Sequence, residues 1–190
     1  MTQPSFAGRA VTRLFVVLNT IVLLTACGSR QPAAPQAEPA AASARNTVVM
    51  PAIAYGTTAK GLQLSKKDDP CDVPASLQQA VQDQLIAPYE YLLPARSPGT
   101  DGAPVLKIEI TDILANAGGL YGGPKIVQLR GTLERSGEPP AGFTAQRQMF
   151  IYFGVPRSTC SMVGVVTYAL GGDIANWLQK PTNGATLGEF

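Results

Sequence analysis

The chain has 190 residues, enough for one domain of ordinary size with a terminal extension. Its 15 basic and 13 acidic side chains nearly cancel, and no basic cluster exceeds Lys66-Lys67, which Asp68-Asp69 follows directly, so charge points away from nucleic acid. There is no histidine, which removes the commonest general base and metal ligand and any Ser-His-Asp or Cys-His nucleophile within the chain; the three cysteines are too scattered for a zinc site, and no metal or cofactor is expected.

At the N-terminus, Arg9 and Arg13 precede an apolar run from Leu14 to Leu24, broken only by Asn19 and Thr20 and ending in Leu24-Thr25-Ala26-Cys27. A cationic flank, a short apolar core, small residues and then a cysteine resemble the signal peptide and lipobox of bacterial lipoproteins. The run is shorter than the roughly 20 residues a transmembrane helix needs, and Leu24-Thr25-Ala26 fits an Ala-x-Ala-like secretory site poorly. The resemblance implies that residues 1–26 are a signal peptide cut before Cys27. It also implies that the Cys27 thiol carries a diacylglyceryl group, and that the new amine is open to further acylation. The lipid bilayer is then a partner through Cys27, held stably by two or more acyl chains at about 0.8 kcal/mol per buried CH₂. Gly28 stands where an aspartate would favour inner-membrane retention in Gram-negative lipoproteins, so the expected location is the outer membrane, facing the periplasm. Two basic residues and no acidic ones precede Cys27, so the remaining 164 residues carry 13 of each sign and are formally neutral.

Residues 28–46, GSRQPAAPQAEPAAASARN, lack any large apolar side chain. Such a segment cannot bury enough surface to offset its ordering entropy, so residues 27–46 read as the acylated cysteine and a flexible tether. Nineteen residues reach at most about 60 Å when fully extended. A single domain is expected over residues 47–181, with a loose tail at 182–190. Val48 to Tyr55 reads as a strand that Pro51 demotes to an edge or bulge. Residues 56–71 read as a polar loop. Asp72 and Val73-Pro74 then open a helix in which Leu77, Val81 and Leu85 recur every four residues, opposite Gln78, Gln79, Gln82 and Asp83. Residues 88–104 hold four prolines and two glycines and read as a loop.

Val105 to Ile113 alternates, with Leu106, Ile108 and Ile110 against Lys107, Glu109 and Thr111. Lys125 to Arg135 alternates likewise. Gln146 to Gly154 is apolar on both faces and reads as a covered strand. Glycine- and proline-rich turns join these three into an expected antiparallel meander. In Cys160 to Lys180, Val163, Val166, Leu170, Ile174 and Trp177 form a helical stripe that Pro181 stops, with a kink or break expected at Gly171-Gly172. The expected fold is therefore α+β, in the order β-α-β-β-β-α, with a mainly antiparallel sheet and both helices on one face. Together with the lipobox, this order and size resemble small α/β accessory lipoproteins of bacterial envelope transport and secretion systems.

Cys71 and Cys160 each precede a predicted helix. In an oxidising envelope compartment they are expected to form a disulfide; the competing reading, a thiol activated at a helix N-terminus, has neither CxxC spacing nor a nearby histidine behind it. The loop AGGLYGGP, Ala117 to Pro124, lacks a phosphate-binding spacing and joins two strands, so it reads as a hairpin loop that can present Leu120 and Tyr121 to a partner. Glu109, Asp112 and Glu134 could be imagined as an acid–base pair, but Glu109 and Glu134 fall on polar strand faces and read as solvated. Trp177 reads as core. The functional expectation is a non-enzymatic, membrane-anchored accessory or scaffold with an envelope protein partner. The alternative is a small-ligand or lipid-binding lipoprotein with an apolar pocket between sheet and helices.

Overall fold

The computed structural model describes residues 44–115, 123–150 and 158–189. Cys27, most of the tether, and Leu120 and Tyr121 lie outside these residues. The alternating segments build a sheet in the strand order β3-β1-β4-β5-β6-β7, with β2 also paired to β4. Its centre is an antiparallel meander of β4 (Val105–Leu114), β5 (Lys125–Glu134) and β6 (Ala141–Met149). Leu106, Ile108, Ile110, Val127, Leu129, Leu133, Phe143 and Ala145 point to one face and are buried. Lys107, Glu109, Gln128, Arg130, Thr132 and Thr144 occupy the other. A bulge between Ile110 and Asp112 resets the phase, so Ile113 pairs with Val127 and stays on the apolar side.

The sheet is mixed and not mainly antiparallel. β1 (Thr47–Val49) pairs in parallel with β3 (Tyr91–Leu93), β2 (Ala54–Tyr55) in parallel with β4, and β6 in parallel with β7 (Ala185–Gly188). The reason is connectivity. Helix α1 (Val73–Gln84) lies between β1 and β3 in the chain, and helix α2 (Thr159–Gln179) between β6 and β7. A helix that returns the chain to the end where the previous strand began leaves parallel pairing as the only fit. The α+β class stands, with both helices against the apolar side of the sheet.

Five further expectations change. The Val48–Tyr55 strand is split into β1 and β2 around Pro51, and β1 is interior, flanked by β3 and β4. The proline-rich stretch 88–104 contains β3, which gains its extended form from backbone bonds to β1. The third meander strand begins at Ala141, five residues before the expected start. Its inward residues at that end are Ala141, Phe143 and Ala145, two of them too small to make a strong alternating signal; residues 151–157 of the expected strand lie outside the described ones. Helix α2 runs unbroken through Gly171-Gly172. A Cβ on Gly171 would come within 2.6 Å of the Ala80 backbone, so the two helices pack here too closely for any side chain. Finally, the tail is not loose over 185–188, where β7 adds the last strand. Arg147 of β6 holds this corner: its guanidinium donates to both Asp173 carboxylate oxygens, at 2.8 and 2.9 Å, and pairs with Glu189 at 3.0 Å. These bonds to Asp173 raise the Arg147 pKa further.

Core packing leaves no room for a side chain where Phe143 crosses Gly131. The two are register partners, and a Cβ on Gly131 would overlap the Phe143 ring. That ring packs against Trp177 of α2 at 4.6 Å between centroids. Trp177 is thus core, as its place on the helical stripe implies. No helix among the described residues is long and apolar enough to cross a membrane.

Candidate functional site

Cys71 and Cys160 are joined in a disulfide, with Cα atoms 5.1 Å apart. The bridge ties the start of α1 to the start of α2 across 89 positions of sequence. Beside it sits Asp69, only 4% exposed. Its carboxylate accepts the backbone N–H of Cys71 at 3.0 Å, that of Val73 at 2.6 Å, and the Tyr55 hydroxyl at 2.8 Å. Asp69, and not Asp72, therefore caps α1 through its side chain. Asp72 adopts a left-handed backbone, φ 51°, and makes no side-chain cap bond. Burial pushes the Tyr55 pKa well above the usual phenol value, and the Asp69 hydrogen bond adds to the shift.

The outer sheet face is a ladder of paired charges and hydroxyls. Arg130 donates to both oxygens of Glu109 at 2.8 Å, and Lys107 donates to Glu134 at 2.6 Å. Glu109 and Glu134 are thus each engaged by a cation on a solvated face, and Asp112 pairs in register with Gln128. Three shallow, open clefts lie on this face and all include Arg130. One is bounded by Pro51, Ala52 and Ala54, one by Thr57–Ala59, and one by Asn183–Ala185. Their floors carry threonine, glutamine and paired charges, and they lie on the side of the sheet away from the helices.

The solvent side of the helical layer is different. Val165 and Tyr168 of α2 are 45% and 56% exposed, and Ile86, just past α1, is 45% exposed. Across both helices the only charged residues are Asp83 and Asp173, and Asp173 is taken by Arg147. Sequence reading passes over this face because the stripe of core residues on α2 dominates its pattern. Strand directions place the ends of the domain: Thr47 pairs with Tyr91, and Val49 with Val105 at the start of β4, whereas Ala115 follows the far end of β4. The chain therefore enters β1 at one end of the sheet, and the residues that bracket the 116–122 connection, Ala115 and Gly123, lie at the other.

No family model and no curated protein matches the chain. Among solved structures it is similar to the PelC dodecamer from Paraburkholderia phytofirmans, at 15% identity and a TM-score of 0.43, over 69% of this chain and 89% of that one. A variant of the same dodecamer gives 13% identity and a TM-score of 0.40, over 68% and 86%. An uncharacterized protein of known crystal structure gives 12% identity and a TM-score of 0.47, over 72% and 93%. Similarity of this degree assigns neither a family nor a function.

Proposed function

We propose that the chain is a lipid-anchored accessory lipoprotein of the bacterial envelope, whose α+β domain binds an envelope protein and catalyses no reaction. The observation that carries this reading is the series Arg9, Arg13, apolar run and Leu24-Thr25-Ala26-Cys27. Acylated Cys27 would hold the protein at the outer membrane, facing the periplasm, with residues 28–46 as the tether. The Cys71–Cys160 bridge supports an oxidising compartment, where such bonds form and persist. The ion pairs of Glu109 and Glu134 support a binding surface over acid–base chemistry, because each carboxylate already has a fixed cation.

The course of the chain gives the domain a direction. The tether joins at the Thr47 end of the sheet, while Ala115 and Gly123 stand at the opposite end. Leu120 and Tyr121, between those two residues in sequence, are the proposed partner contact. Crosslinking in intact envelopes followed by pull-down tests this. The Leu120→Ser/Tyr121→Ser variant is expected to keep its thermal unfolding midpoint, since exposed loop changes shift stability by about 0.5 kcal/mol or less, and to lose the protein that crosslinks to the wild type. A variant that folds and retains every crosslink would contradict the assignment of the contact.

A further inference from the structure

We propose that the outward face of the helical layer, centred on Val165 and Tyr168 with Ile86 at its edge, is a bilayer-contact surface that lays the anchored domain on the membrane; the inference rests on the lipid-anchor reading above. An apolar face on a helix normally packs inward, and α2 already has a buried stripe from Val163 to Trp177. Val165 and Tyr168, one turn apart on the other side, are surplus to that core. Around them lie Gly164, Ala169 and Gly172, and the exposed polar residues farther out on the two helices are Gln79, Asp83, Ser161, Asn176 and Gln179, with no cation among them. A tyrosine beside aliphatic groups suits the boundary between headgroups and acyl chains, where the ring is buried and the hydroxyl stays wet.

The occupant follows from where the rest of the chain lies. Residues 1–43, with Cys27 among them, precede Ala44, and the first described residues are fastened to the segment that follows α1. Asn46 accepts the backbone N–H groups of Glu90 and Tyr91 at 2.9 and 3.1 Å, and its side chain donates to Glu90 at 3.2 Å. A turn closed by Tyr89 N–H on the Ile86 carbonyl leads from there to Ile86. Two residues before Ile86, Gln84 donates to the Tyr168 carbonyl at 2.7 Å. The chain that carries the anchor thus enters the domain at Glu90 and Tyr91, one turn of chain beyond Ile86. Once Cys27 is acylated, the tether keeps the domain close to the bilayer, and a weak apolar contact suffices because it is intramolecular in effect. Neither helix carries a lysine or arginine and Arg45 stands at the chain's entry, so the contact is expected to depend on apolar area more than on anionic lipid or salt.

The test uses the acylated full chain in vesicles of phosphatidylethanolamine and phosphatidylglycerol. An environment-sensitive fluorophore is placed at Asn176→Cys, on the outward side of α2, and as a control at Thr144→Cys, on the outer sheet face. The label at 176 is expected to be shielded from water and quenched by spin-labelled lipid, with no change in high salt, and the label at 144 to remain aqueous. Adding Val165→Ser/Tyr168→Ser should expose the label at 176 without altering thermal unfolding. In the Cys27→Ser chain, the same pair should lower co-sedimentation with vesicles by about tenfold. An aqueous label at 176 in vesicles overturns the inference. So does shielding that persists without lipid, which would mean a second copy covers the face, and so does shielding lost in salt. The mass of the protein reports acylation separately. An acylated chain with an aqueous face removes only this inference, and an unacylated chain that still sediments removes only the anchor.

Discussion

Asp69 shows how much a single buried carboxylate organises in this fold. It collects one hydroxyl and two backbone donors from Tyr55, Cys71 and Val73, and so fixes the start of α1 and the approach to the disulfide. Removing it would leave the buried Val73 N–H and the half-buried Tyr55 hydroxyl and Cys71 N–H without their acceptor. Asp69→Ala is expected to lower stability by about 2–3 kcal/mol, measured by urea unfolding. Tyr55 gives a test through pH. Its folded pKa is raised from 10.0, by burial first and by Asp69 second, and burial raises that of Tyr89 as well. The unfolded chain therefore releases these protons first. The stability contributed by the neutral phenols is complete below about pH 10 and declines above it. Tyr55→Phe should be less stable than wild type at neutral pH and lose stability less steeply above about pH 10. None of this was legible in the sequence, because Asp69 there belongs to a charge quartet, Lys66-Lys67-Asp68-Asp69, that looks like a solvated loop. Only the closing of the loop onto Tyr55 makes it a cap.

At the level of elements, what could be read depended on how much of the structure is local. The alternation of β4 and β5 and the helical stripes of α1 and α2 are local patterns, and each appears in the fold within a few residues of its expected place. Strands β3 and β7 are three and four residues long and become strands only through β1 and β6, so no pattern within them announces it. The parallel pairings were missed with them, since the crossover helices can be seen but the strands they lead to cannot. The glycines of α2 were misread for a related reason: helix propensity predicts a break at Gly171-Gly172, and helix packing overrides it. The two effects can be separated by experiment. Gly164→Ala, with nothing within 4 Å of the added Cβ, is expected to raise stability by up to about 1 kcal/mol. Gly171→Ala, whose Cβ would meet the Ala80 backbone, should lower it by about 1–3 kcal/mol despite the same gain in propensity. Thermal unfolding of the two variants decides the matter, and a stabilised Gly171→Ala would show that the helices can separate at no cost.

For the whole molecule, the sequence is most informative at residues 9–27 and the described structure is most informative from residue 44 onward, and the functional account joins the two. The disulfide adds to a domain of modest size about 4–5 kcal/mol in the chain-entropy model, consistent with a protein built for an oxidising compartment. On the outer sheet face Lys107 and Arg130 are paired with Glu134 and Glu109, whereas the two helices carry only Asp83 and Asp173 and expose Val165 and Tyr168, so the two sides of the domain differ in charge. The account depends on Cys27 being the point of attachment. Mass spectrometry of the protein extracted from membranes by detergent tests that most directly. The expected result is an N-terminal peptide that begins at Cys27 and carries diacylglyceryl, with Cys71 and Cys160 still linked. An unmodified Cys27 within an uncleaved chain would contradict the account.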